Sequence, residues 1–334
     1  MLIPPKYQLT NKISELLSSI QGSRDVIESL IIPPEIEQNI RRKSTLNSSL
    51  YSARIEGNQL TMDMLSIISP KDQRKIEVYN ILKALNWINE KKRRKLTEKD
   101  ILTLHRITMN GLIDLNNLGQ FRNNMEAIFN SAGIAIYMPP PPRFINPSIM
   151  KLMKYINSSK EQFVPIKAVL SHYFFEKIHP FLDGSGRVGR LLIQMTLHNQ
   201  GYGMKGILPL EEYLDNHRSE YYRMLEEPEK DATYYVEFML EAISEAAKKG
   251  KELILQNQSP TIEDSLLPRR AEILRIIKDH KMVNFDQIRR RFVNINERTL
   301  RYDIKKLLDN RLINKLGMTK GVYYTTQRSS SKQN

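Results

Sequence analysis

Residues 172–200 read HYFFEKIHPFLDGSGRVGRLLIQMTLHNQ, and this stretch decides the fold. A helical run ends at His179, because Pro180 cannot continue it. Asp183, Gly184, Ser185 and Gly186 follow as one carboxylate and three small residues. An apolar run then opens a second helix, with Arg187 and Arg190 in its first turns. Unpaired N–H groups at a helix start, together with the helix dipole, favour an anion. Small residues let that anion approach the backbone. A histidine base, a carboxylate, a flexible loop and two guanidiniums are suited to a polyphosphate.

The sequence on either side is mostly helical. Upstream, STLNSSLYSARIEG (44–57) reads as a helix ending at Gly57, where glycine supplies a left-handed cap. Glu56 then sits in the last turn, where the dipole disfavours a carboxylate, so on position alone it is an exposed glutamate. Ile13, Leu16, Leu17 and Ile20 fall at helical spacing in an earlier helix, and further helices cover 70–110. Thr97 with Lys99 and Asp100 opens one of them, and His105 lies in it at core spacing as a structural histidine. The pattern changes at 117–147, where AIF and IAIYM around Gly133 form a β-hairpin followed by a stiff PPPP segment.

Composition bounds the class. The 334 residues are 40% hydrophobic and 26% charged, enough for two globular domains. No run of 18 apolar residues exists, so no membrane span is expected. The start, MLIPPKYQLTNKISELL, lacks a basic segment leading into an apolar one, so no secretory signal is expected. Zero cysteines exclude disulfides and thiolate metal sites and suit a cytoplasmic setting. The net charge of +14 is uneven: from Pro268 onward, 17 Lys and Arg face 6 Asp and Glu. That asymmetry suggests a nucleic-acid-facing module, with a solvated basic surface as the plainer alternative.

The last segment also has its own rhythm. A helix over AEILRIIKDH is followed by a short one, DQIRRRF. Asn294 and Glu297 form a capping box that opens a third helix, with Leu300, Ile304, Leu307 and Leu308 as core. LINKL and GVYYTT then flank a glycine-bearing turn. Three helices and a hairpin resemble a winged helix-turn-helix, whose third helix would offer Arg298, Thr299, Arg301 and Tyr302 to a DNA groove. The expected fold class is mainly α: a helical core with a β-hairpin flap over 1–250, a linker over 251–267, a small α+β winged helix over 268–328 and a frayed tail over 329–334.

His179 to Arg190, HPFLDGSGRVGR, closely resembles the signature of the Fic (Fido) family, H-P-F-x-D/E-G-N-G-R-x-x-R. GQFR with the following hairpin resembles the family's flap region. Ser52 to Gly57, SARIEG, resembles its inhibitory motif, S/T-x-x-x-E-G/N, placed ahead of the core. The resemblance spans roughly residues 1–245 and implies a Fic-type core that transfers AMP from ATP to a Ser, Thr or Tyr hydroxyl of a target protein. Under it, His179 is the general base, near its natural pKa, and Asp183 holds Mg²⁺. Gly184, Ser185 and Gly186 form the anion nest, and Arg187 and Arg190 bind the β- and γ-phosphates. Tyr221 and Tyr222 resemble a family Tyr-Tyr pair near the adenine. The flap residues Ile134, Ala135, Ile136 and Tyr137 dock the target by strand addition. Ser185 departs from the family's usual Asn, which puts the reaction rate in question. The resemblance also revises Glu56: with Ser52 it belongs to the inhibitory motif, and its partner is Arg190, an autoinhibitory pair. Two other functions remain open: a DNA-binding regulator whose core senses nucleotide, and an enzyme that removes AMP. The target protein stays unidentified, and a homodimer stays open.

Overall fold

The computed structural model describes residues 4–92, 94–129, 135–256, 266–292, 295–317 and 321–326. Thr10 starts the first helix, α1 (Asn11–Ser29), by accepting the Ile13 N–H at 3.2 Å. Ile13, Ile20 and Ile27, spaced by seven, are its fully buried stripe. α2 (Pro34–Ile55) begins with proline at a position that needs no N–H. It ends where expected: Gly57 takes φ +100°, and its N–H reaches Arg54 O at 2.9 Å. The helix starts ten residues earlier than position 44, which alone marked its onset in the sequence.

Short α3 (Met62–Ile67) leads to α4 (Gln73–Glu90), capped by Asp72, and α5 (Glu98–Thr108). The expected opening at Thr97 forms, with Asp100 returning to the Thr97 N–H at 2.8 Å. Asp100 also pairs with Lys91 and the half-exposed Arg94, so this corner carries an ionic knot around a buried carboxylate. The hairpin follows as β1 (Ile128–Phe129) antiparallel to β2 (Ala135–Tyr137). Ile134 and the Ile136 side chain lie outside the described residues.

Next come α6 (Ile145–Ile156), α7 (Val164–Ile178) and α8 (Ser185–Asn199). α7 is buried on nearly every side and packs on α8. Phe174, Phe175 and Ile178 join Leu104, Phe181, Val188 and Leu191 in one core, which anchors both sides of the 179–184 loop. α9 (Leu210–Asn216), α10 (Arg218–Leu225) and α11 (Thr233–Gln256) complete this part, with α1 lying along α11.

The chain divides into two units: residues up to Ile32 with Ile40–Gln256, and Pro33–Asn39 with the residues after Gln256. The expected boundaries shift accordingly. Residues 251–256, assigned to a linker, continue α11, where Ile254 is fully buried. An apolar position at helical spacing outweighs the polar composition around it. Residues 257–265 of that linker and 329–334 of the tail lie outside the described residues.

The second unit contains α12 (Pro268–His280), β3 (Val283–Asn284), α13 (Phe285–Arg291), α14 (Glu297–Asp309), β4 (Ile313–Leu316) and β5 (Tyr323–Thr326). The strands form an antiparallel sheet in the order β3-β5-β4. β3 was not expected; two residues carry no alternation to read. The cap of α14 is Asn296, whose side chain accepts the Arg298 N–H at 2.8 Å. Asn294, the expected cap, lies outside the described residues. Leu300, Ile304 and Leu307 are buried with Ile273, Ile277 and Ile288, while Leu308 is half-buried. Asp303 is buried on α14 and takes ion pairs from Arg269 and Arg270 in the first turn of α12.

Candidate active site

His179 terminates α7 in the left-handed region, at φ 44° and ψ 65°. A residue with a Cβ rarely adopts that conformation, so the surroundings must hold it. Arg122 does so from the QFR segment: its Nε donates to His179 O at 2.8 Å and its backbone N–H to Pro180 O at 2.9 Å. The same guanidinium reaches Asn124 O and Pro140 O at 2.8 and 2.7 Å. One buried arginine therefore ties the histidine loop to the polyproline segment. Burial depresses the His179 pKa to about 4, with Arg122 adding to the drop against Glu56. The expectation of a histidine near its natural pKa leaves out this burial, which disfavours the protonated ring.

His105 supports the far side of the loop. Gly119 N–H donates to its Nδ1 at 2.9 Å, so Nε2 carries the hydrogen and donates to Asp183 O at 3.0 Å. The ring stacks on Phe181 at 3.8 Å between centroids. His105 is structural, as its core spacing indicated, and its role is to fix the Asp183 backbone.

Gly184 caps α8 at φ +86°, and a Cβ there would lie 2.6 Å from Met109 Sδ. No side chain caps the helix, whose first internal acceptor bond runs from the Val188 N–H to Gly184 O. The N–H groups of Ser185, Gly186 and Arg187 precede that bond and have no partner within the helix. Ser185 is buried, and its hydroxyl accepts from Phe181 N–H at 3.1 Å and donates to Phe181 O at 3.2 Å. The serine thus staples the loop to itself.

Both arginines are engaged. Arg187 donates to Glu77 Oε1 at 2.6 Å and to Asp183 Oδ1 at 2.5 Å. Glu77 is gripped in turn by Asn58 Nδ2 at 2.8 Å, so the residue just after Gly57 is linked to Arg187. Arg190 is 1% exposed; it donates to Ser52 Oγ at 3.0 Å, Ser52 O at 2.9 Å and Glu56 Oε1 at 2.8 Å. Burial alone would raise the Glu56 carboxyl, but Arg190 and Arg187 outweigh it and hold it below the usual carboxylate range. A Cβ at Gly186 would lie 2.7 Å from Glu56 Oε1, so the carboxylate lies against the small-residue loop. Ser52, Glu56, Gly186 and Arg190 are therefore brought together across more than 130 residues of chain.

The two tyrosines part company. Tyr235 O–H donates to Val169 O at 3.1 Å, so it accepts the His172 Nδ1–H at 2.7 Å. His172 Nε2 then accepts the Tyr221 O–H at 3.0 Å. Tyr221 is buried and committed to this chain of bonds. Tyr222 is 41% exposed and donates to Ile55 O at 3.1 Å, beside Glu56. Tyr137 of the hairpin donates to Lys177 O at 2.7 Å, which fastens the flap to α7. Burial pushes its phenol up to about 12. On α14, Arg298, Arg301 and Tyr302 are exposed and Thr299 is half-buried.

Sequence reasoning did not single out Arg122, Glu77 or Glu176. Each lies outside the signature. Only Glu176 carried a signal: an acid one turn before His179, directly after the aromatic run Tyr173–Phe175.

Residues 95–197 match the Fic/DOC family, so the centre of the chain carries a Fic/DOC domain. The protein adenylyltransferase Fic of Drosophila mojavensis is 29% identical over 252 residues, covering 72% of this chain and 47% of the relative. That of Drosophila erecta is 29% identical, covering 72% and 48%. The chain thus spans about half the length of the curated relatives it matches. A crystal structure of a Fic family protein from Desulfovibrio desulfuricans G20 is similar at TM-score 0.65 and 24% identity, covering 98% of this chain and 99% of that one. Fic-1 from C. elegans is similar at TM-score 0.59 and 20% identity, covering 73% of each chain. These two likenesses show the fold, which is mainly α as expected. No helix of the described residues is long and apolar enough to cross a membrane.

Proposed function

We propose that the protein is an adenylyltransferase that moves AMP from ATP to a hydroxyl of a target protein, held inactive by Glu56. The observation that carries this reading is His179 at the end of α7, followed within one short loop by the uncapped start of α8, whose N–H groups stand beside Arg187 and Arg190. In this scheme His179 takes the proton from the target hydroxyl, and that oxygen attacks the α-phosphorus. The Ser185, Gly186 and Arg187 N–H groups bind phosphate oxygens, and Arg187 and Arg190 neutralise the β- and γ-phosphates once released from their carboxylates. Tyr222, not Tyr221, is the exposed aromatic available to a base. The open edge of β2, including Ala135, would receive an extended target segment through its backbone.

Asp183 fits a role as Mg²⁺ ligand. Its side chain is 54% exposed, and Arg187 holds only Oδ1, which leaves Oδ2. Among the described residues no cluster of three or more His, Asp or Glu side chains could cage a metal. One carboxylate supplemented by phosphate oxygens is the donor set Mg²⁺ ordinarily uses. Bound there, the ion would offset charge on the departing diphosphate. The cytoplasm is the compartment in which we place this chemistry.

Incubation of the full chain with α-labelled ATP and lysate tests the reading. His179→Ala should abolish labelling while ATP binding persists; undiminished labelling would refute the base assignment.

A second activity is favoured by the second unit. Its helix–strand–helix–helix–strand–strand order and the exposed Arg298, Arg301 and Tyr302 on α14 support a winged helix that binds DNA phosphates. A gel shift that weakens steeply with salt and is lost in the Arg298→Ala, Arg301→Ala double variant would support it. Binding indifferent to both would refute it.

A further inference from the structure

Glu176 has no part in the reaction laid out above, yet it faces the proposed base. It sits one turn before His179 on α7, with its side chain 11% exposed and Oε2 3.9 Å from His179 Nδ1. His179 Nδ1 and Glu176 Oε1 are both buried without a hydrogen-bond partner. Buried polar atoms seldom stay unpaired; Oε2 is the oxygen that faces His179 Nδ1, while Oε1 lies toward His172 Nε2 and Gly189, so a small turn of the carboxyl or the ring would pair the acid with His179. The facing helix makes room for this carboxyl: a Cβ at Gly189 would lie 1.9 Å from Glu176 Oε1. The other nearby imidazole nitrogen, His172 Nε2 at 3.6 Å, is already taken by the Tyr221 O–H.

We infer that Glu176 is a positioning residue: its carboxyl accepts the Nδ1–H of His179, which fixes the ring with Nε2 as the free base. The inference rests on reading His179 as the base. The separation of 3.9 Å is too long for a hydrogen bond, and such contacts tighten when substrate seats. The imidazole is one-fifth exposed at a helix end. In the reaction, Nε2 takes the hydroxyl proton and the oxygen's electron pair forms the new bond to the α-phosphorus. The bond to diphosphate breaks, its electrons leave with the diphosphate, and the resulting imidazolium faces Glu176. The other charged groups around His179 are Glu56, one residue past α2, Arg122 from the segment after α5, and Asp183, and the ring also meets the Glu176 backbone. Arg190 and Glu56 face Glu176 itself.

The test uses the full chain labelled with ¹⁵N-histidine, whose imidazole shifts report the tautomer without any turnover. At neutral pH, His179 should carry its hydrogen on Nδ1. Glu176→Gln keeps an accepting oxygen and should keep that tautomer. Glu176→Leu should mix the tautomers, and Gly189→Ala should do the same by displacing the carboxyl, which guards against a Leu variant that fails to fold. In AMP transfer, Glu176→Leu should lower kcat by about 10- to 100-fold with KM for ATP unchanged, and Glu176→Gln by less. A His179 hydrogen on Nε2 in the parent, or a tautomer indifferent to every variant, would overturn the inference. A change confined to His172 would overturn it too, because Glu176 would then serve only that residue. A Glu176-dependent tautomer in a chain that transfers no AMP would support the pairing while refuting the proposed reaction.

Discussion

Replacing Glu56 with glycine should switch AMP transfer on. Glu56 occupies Arg190 through a 2.8 Å charge-assisted bond, and Arg190 is the guanidinium best placed beside the small-residue loop. A hydrogen bond between charged groups contributes about 1.5–3 kcal/mol. If that contact is what holds the site closed, its loss shifts the balance toward the open state by about 10- to 150-fold. Self-labelling by α-labelled ATP should rise by about that factor when the uninhibited fraction is small. The same substitution leaves a buried guanidinium without its carboxylate, so the ligand-free protein should lose about 1–3 kcal/mol, less than a fully buried pair because Glu56 is 28% exposed. ATP should restore more of that stability in the variant than in the parent, since phosphate replaces the missing carboxylate. Glu56→Gln keeps the shape and loses the charge, and should fall between the two. Equal labelling in parent and variant would refute the autoinhibitory contact. Weaker labelling, with loss of an AMP-removing activity, would show that Glu56 serves the reverse reaction.

Three further outcomes are expected. Ser185→Ala removes both bonds to Phe181, so it should cost about 1–2 kcal/mol and lower AMP transfer, measured by thermal unfolding and labelling. Glu77→Gln weakens the restraint on Arg187 and the link to Asn58; the free protein should melt lower, and the gain in melting temperature on adding ATP should exceed the parent's. The buried histidines give a pH signature: His105 and His179 are held down to about 4, so the native state binds fewer protons than the unfolded chain below pH about 6.5. Their contribution to stability is complete above that pH and is lost as pH falls toward 4. Glu176, raised to about 8 by burial, works oppositely and opposes folding as pH rises from about 4.5 to 8. Glu176→Gln should therefore gain stability at pH 8 relative to pH 5, by calorimetry at both.

The signature stretch specified its own local form almost completely. A proline after His179, small residues at 184–186 and an apolar run beyond them leave the backbone little choice but helix, loop, helix. The Gly57 cap and the Thr97–Asp100 box were legible for the same reason: local chemistry decides them within four residues. The two-residue β3 was illegible because a strand that short is made by its partner, β5. Residues 251–256 were misread because the burial of Ile254 overrides the polar composition around it. The candidate site divides along the same line. The sequence alone supplied His179, Asp183, both arginines and, through a motif 130 residues away, Glu56. It held nothing to separate Tyr221 from Tyr222, since adjacent residues on a helix face different neighbours only once His172 and Ile55 have been brought alongside. Nor could it show that Ser185 turns back on Phe181, that Glu77 engages Arg187, or that Gly189 clears a space for Glu176. Those are properties of α2, α4, α7 and α8 converging on one loop, and only the tertiary structure sets such distances.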